Sequence, residues 1–142
     1  MVYTLKLEGK KYAYDTASGA VVALPSLPFK MVEALEPPIE PVCPTSLRYE
    51  LAKYDFSDVE AAYDTILEYA ESGLLYKEDD GVIRIMTDGE YACPSERIAT
   101  ELLTKAFSTG SASVSFEAIG EGADKTLTLA QGIAKSLGKE VA

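Results

Sequence analysis

Two cysteines and no histidine limit the chemistry these 142 residues can perform. Without histidine the chain lacks the commonest general base and the commonest metal ligand. Cys43 and Cys93 lie 50 positions apart, far from the close pairs that mark zinc or iron–sulfur ligation. Free thiols are the expected state in a cytoplasmic chain. Cys93 stands just ahead of a helical stretch, where a helix N-terminus can lower a thiol pKa, but no histidine is available to act as its base. Glu78-Asp79-Asp80 concentrates carboxylates without the spacing of a calcium loop. Gly120-Glu121-Gly122, placed before a helix, has the outline of an anion-binding loop. It lacks the further glycine and the lysine of such loops, and Glu121 and Asp124 repel phosphate. The expectation is no catalytic residue, no metal and no cofactor, with Gly120, Glu121 and Gly122 the positions where a bound cofactor would be sought.

The elements that position these residues begin with alternation. Tyr3 to Leu7, Lys11 to Asp15 and Ala20 to Leu24 read as three short strands joined by tight turns at Glu8-Gly9-Lys10 and Ala17-Ser18-Gly19. Pro25 ends the third strand, and Ser26 opens a short helix with Phe29, Met31, Val32 and Leu35 as its apolar positions. Residues 36–44 carry four prolines and form a semi-rigid connector. Thr45 to Tyr54 reads as a second short helix. In the third, Val59, Ala62, Tyr63, Ile66, Leu67 and Ala70 draw one apolar stripe, with Ser57 and Glu60 as a capping box and Gly73 as the stop. Leu74 to Tyr76 and Val82 to Ile85, joined through Asp80-Gly81, read as a hairpin. A helix followed at once by such a ribbon is the second half of a winged helix.

After Met86 the pattern changes to helix, strand, helix. Pro94 marks the first turn of a helix through Ile98, Leu102, Leu103, Ala106 and Phe107. Ser108 to Ser111 breaks it, Ser113 to Glu117 alternates as a strand, and Asp124 caps a final helix that Gly138 closes. Such alternation implies a parallel arrangement. One strand makes no sheet, so either Val82 to Ile85 or a second copy of the chain must pair with it. The expected fold is therefore α+β: a winged-helix-like domain over residues 1–86, with three antiparallel strands, three helices and a wing hairpin, then a small α/β segment over 87–142.

Composition excludes whole classes of function. No apolar run reaches the roughly 20 residues that span a bilayer, and the N-terminal stretch has no signal-peptide core, so a cytoplasmic location and no membrane partner are expected. Net charge is −10, with 15 acidic and 7 basic residues in positions 1–80 against 8 and 6 in 81–142. Nucleic-acid binders place Lys and Arg where phosphates lie, so this winged helix is not expected to bind DNA or RNA.

In element order and turn spacing, LEGKKYAYDTASGAVVALPS and FSDVEAAYDTILEYAESGLLYKEDD resemble the peptide-recognition, PqqD-like domain of radical SAM peptide maturases. SVSFE followed by Gly120-Glu121 and a helix is similar to the strand and loop that hold the methionine end of SAM in the barrel of those enzymes. The CxxxCxxC run that carries their cluster is missing; MTDGEYACPSE stands in its place with Cys93 alone. Without three thiolates no such cluster is held and no radical forms. The resemblance implies a non-catalytic peptide- or protein-binding adaptor whose partner is a peptide or a maturase. It places the peptide along Gly19, Ala20, Val21, Val22, Ala23 and Leu24 by β-augmentation, beside Tyr63, Ile66 and Tyr69 of the third helix. Acidic residues of that helix, Glu60, Asp64, Glu68 and Glu71, would favour a basic guest. The alternative is an inactive structural subunit or truncated enzyme fragment that completes its C-terminal sheet in a homodimer or heteromer.

Overall fold

The computed structural model describes residues 1–109 and 112–141. Gly110 and Ser111, expected as part of a helix-breaking turn, and Ala142 lie outside the described residues. The fold is α+β. Strands β1 (Val2–Leu7), β2 (Lys10–Asp15) and β3 (Val21–Ala23) form an antiparallel sheet in that order. Tyr3 faces Tyr14 across the first pair, and Tyr14 faces Val21 across the second. Helices α1 (Ser26–Ala34), α2 (Thr45–Glu50) and α3 (Phe56–Glu71) follow. Next come β4 (Val82–Met86), α4 (Glu96–Phe107), β5 (Ser113–Ile119), α5 (Ala123–Ser136) and β6 (Glu140–Val141). β4, β5 and β6 make a parallel sheet in chain order, with Ile83 opposite Phe116 and Val114 opposite Val141. The parallel partner expected for Ser113 to Glu117 is thus β4, in the same chain.

The antiparallel sheet is buried on both faces. Alternate residues of its strands point opposite ways. Ala13, Val22 and Leu24 join Phe29, Met31, Val59, Tyr63 and Ile66 in a core with the first three helices. Leu5, Tyr12, Tyr14 and Val21 join Ile85, Leu102, Phe107, Phe116 and Ile133 in a second core. Residues from both sides of position 86 therefore share that second core, in which Phe107 and Phe116 meet edge to face at 5.7 Å. Each such apolar side chain contributes roughly 1.5–3 kcal/mol when fully buried.

Several local expectations are corrected. The wing hairpin does not form. Leu74 to Tyr76 is a bend, not a strand, and β4 pairs parallel with β5. The reason lies in competing bonds: Leu75 is fully buried in the helical core, Tyr76 takes φ +57°, and the Lys77 amide donates to Asp15 Oδ2 at 2.9 Å. A strand tolerates neither that φ nor a diverted amide. Gly81 still bends the chain, at φ +81° with its amide donating to Asp79 Oδ1, but the bend delivers the chain into β4 and not back along Leu74. The capping box is absent too. α3 starts at Phe56 with Asp55 at its N-cap position, and Glu60 pairs with Arg48 of α2. The stop at Gly73 is as expected: φ +77°, with Leu74 N donating to Tyr69 O and Gly73 N to Ala70 O, the Schellman pattern. α2 ends at Glu50, four residues short of Tyr54. α4 begins at Glu96, after Pro94, because Ser95 caps it by accepting from the Ile98 amide at 3.2 Å. Gly122, not Asp124, holds the N-cap position of α5.

Candidate functional site

The turn between β2 and β3 bonds both to the segment after α3 and to β4. Asp15 is fully buried, and its carboxylate accepts from Ala17 N at 2.8 Å and Lys77 N at 2.9 Å. Ser18 Oγ donates to Leu74 O at 2.8 Å and accepts from Ala20 N. Thr16 O and Gly19 O each accept from β4, from Arg84 N and Met86 N at 2.8 Å. Arg84 adds a guanidinium bond to Ala17 O at 2.8 Å, and the Tyr14 hydroxyl donates to Arg84 O. Gly19 is the one residue type that fits its place. Its φ is +82°, and a Cβ there would lie 3.0 Å from Ile85 N and 3.1 Å from Arg84 C, backbone atoms that cannot yield.

This junction decides how much of β3 is open to a guest. Leu24 N donates to Lys11 O, so Leu24 and Val22 face β2 along the backbone while Val21 and Ala23 face outward. Gly19 O is taken by Met86 N and Val21 N by Tyr91 O at 2.9 Å. Among the described residues nothing meets the outward N–H and C=O of Ala23. Ala23 is also the one exposed residue of Gly19 to Leu24; the other five are buried. A shallow hollow of about 440 Å³ beside it is lined by Lys10, Lys11, Leu24 and Ser26.

The helix positions expected to wall a groove are placed differently from one another. Tyr63 is 1 % exposed, and its hydroxyl donates to Glu40 O at 2.6 Å. Ile66 is fully buried. A side chain closed off in a core presents no surface to a peptide. Tyr69 is half-buried and stacks edge to face on Tyr91 at 6.1 Å, which links it to β3 through the Tyr91 carbonyl. α3 packs on α1, which itself packs on β1 and β2. Sequence reasoning missed Asp15 and Tyr91. An Asp opening an Asp-Thr-Ala-Ser-Gly turn is a signal for Asx bonding, but its distant partner Lys77 leaves none.

The loop at Gly120 to Gly122 satisfies its own donors. Glu121 N donates to Asp88 Oδ2 at 3.1 Å and Gly122 N to Thr87 Oγ1 at 3.0 Å. The Asp88 carboxylate occupies the place where the N-terminus of α5 would receive an anion. Behind the loop lies a hollow of about 180 Å³ between the ends of β4 and the starts of α4 and α5, lined in part by Cys93, Ser95, Thr126 and Leu129. Burial pushes the Cys93 thiol up to about 11, against the opposing effect of its contact with the Ser95 backbone. At neutral pH it is a thiol and not a nucleophilic thiolate. Among the described residues no group of three or more Cys, Asp and Glu is arranged to hold a metal ion. Likewise, none of the described helices is long and apolar enough to cross a membrane. No family model matches the chain, and no curated protein matches it in sequence.

Proposed function

We propose that the chain is a non-catalytic peptide- or protein-binding adaptor, related to the leader-recognition domain of peptide maturases, which takes an extended guest segment along β3. The observation that carries this reading is Ala23. Its outward N–H and C=O are unpaired at the rim of a sheet whose neighbouring edge positions, Gly19 and Val21, are already bonded. An unpaired edge is a template for another strand. The existing bonds from Met86 and Tyr91 restrict the guest to a short pairing at Ala23, with the hollow beside Lys10 and Lys11 receiving the adjacent side chain. The thiol of Cys93 stays protonated and the Gly120 loop is closed on Asp88, so neither competes as the functional centre.

The test is selection of a random peptide library displayed on phage against the full chain, with Ala23→Pro as the counter-target. Proline is tolerated on an edge strand where its nitrogen faces outward, but it donates no hydrogen bond. Enriched peptides are expected to bind Ala23→Pro roughly tenfold more weakly, about 1.4 kcal/mol, while its thermal midpoint stays close to that of the parent. No enrichment, or equal binding to both proteins, would contradict the reading.

A second reading, a subunit that assembles through its parallel sheet, draws on β6. That strand pairs with β5 on one side and with no other described strand. Sedimentation equilibrium tests the homodimeric form of this second reading, since a monomer at all concentrations removes self-assembly through β6.

A further inference from the structure

A hollow of about 560 Å³ opens between the start of β1, the C-terminal end of α1 and the segment after Leu75. Its volume lies in the range of roughly 300–1,000 Å³ common to ligand sites. Val2, Val32, Leu35 and Tyr76 line it, and Val32 is 5 % exposed. Three carboxylates, Glu36, Glu78 and Asp79, stand exposed around it against two ammonium groups, that of Lys77 and the N-terminal one of Met1, which already bonds Thr16 Oγ1 and lies 3.8 Å from Asp15. The Tyr76 hydroxyl is shut off from solvent and has no hydrogen-bond partner among the described residues. The hollow is therefore apolar in its walls and negative around its mouth.

We propose that this hollow anchors a peptide or protein segment that carries one large apolar side chain beside Lys or Arg. The apolar side chain fills the space between Val32, Leu35 and Tyr76, and the flanking cations meet Glu36, Glu78 and Asp79. The net charge of −10 adds long-range attraction for such a segment. The site is reached from β1 and α1, not from β3, so it does not depend on pairing at Ala23.

The probe is the acetylated, amidated peptide Gly-Lys-Phe-Lys-Gly-Ser, titrated into the full ¹⁵N-labelled chain at low salt. Amide shifts are expected at Val32, Leu35, Tyr76 and Lys77. Replacing Phe by Ser in the probe is expected to abolish them. The doubly charge-reversed variant Glu36→Lys/Glu78→Lys is expected to bind about fivefold more weakly at an unchanged thermal midpoint, because both positions are exposed. Ala23→Pro is expected to bind the probe as the parent does. Shifts confined to other residues, no shifts at about 5 mM peptide, which would place binding weaker than roughly 4 kcal/mol, equal affinity in the charge-reversed variant, or loss of binding in Ala23→Pro would each overturn the proposal.

Discussion

Asp15 is the residue on which most of the architecture turns, because one buried carboxylate binds both its own turn and the chain after α3. Asp15→Ala leaves the Ala17 and Lys77 amides without that acceptor. A buried unsatisfied donor costs about 1–3 kcal/mol, so the variant is expected to lose roughly 2–5 kcal/mol of unfolding free energy. Urea denaturation measures it, and a loss below about 1 kcal/mol would mean that water replaces the carboxylate. Gly19→Ala meets the backbone of Ile85 and an unfavourable φ together, with an expected cost of about 1–3 kcal/mol in the same measurement. Cys93, raised to about 11 by burial, is expected to react with iodoacetamide at neutral pH at least roughly tenfold more slowly than a free thiol. A rate equal to that of free cysteine contradicts its placement. At this scale the sequence disclosed residue types but few partners. The absence of histidine and of clustered cysteines is read directly, whereas Asp15 meets Lys77 across 62 positions, a separation that no local pattern encodes.

Whole elements were more legible than their ends. Apolar stripes located α1, α3, α4 and α5, and alternation located β1, β2 and β5, because those periods follow from burying one face. The starts of α3, α4 and α5 were misread by one to two residues because a side-chain cap depends on backbone geometry as well as residue type. The hairpin failed for a different reason: Gly81 bends the chain as its residue type dictates, but the partner of β4 is chosen by long-range pairing with β5 and with the Thr16 to Gly19 turn. Arg84 holds that bend in place by bonding Asp80 at 2.8 Å, which brings the Asp80 carboxyl down from 3.8 to about 2. A depressed folded-state pKa adds stability that is present above the unfolded value and lost as pH falls from about 4 to about 2. Asp80→Asn is thus expected to lower the urea midpoint near pH 6, with the difference from the parent closing towards about pH 2. A difference constant across that range would show that the ion pair contributes nothing to its pH dependence. Asp80 is half-exposed, so the effect is small.

At the scale of the whole molecule, the antiparallel sheet serves two cores. Its Tyr12, Tyr14 and Val21 face the side chains of α4 and β5, while Ala13 and Val22 face the first three helices. Neither half buries its share of that sheet without the other. Unfolding followed by tyrosine fluorescence and by far-ultraviolet circular dichroism is expected to give one coincident transition. Two separated transitions would mean that residues 87–142 unfold independently of the sheet. The burial also narrows where an extended guest can add, since of Gly19 to Leu24 only Ala23 is exposed and unpaired along the edge. The most direct measurement is therefore amide hydrogen exchange at Ala23 in the full chain, with and without a peptide enriched by the library selection. The Ala23 amide is expected to exchange freely in the chain alone and to gain at least roughly tenfold protection when the peptide is bound. An Ala23 amide that exchanges equally fast in both states, with protection appearing elsewhere, would contradict peptide addition at β3.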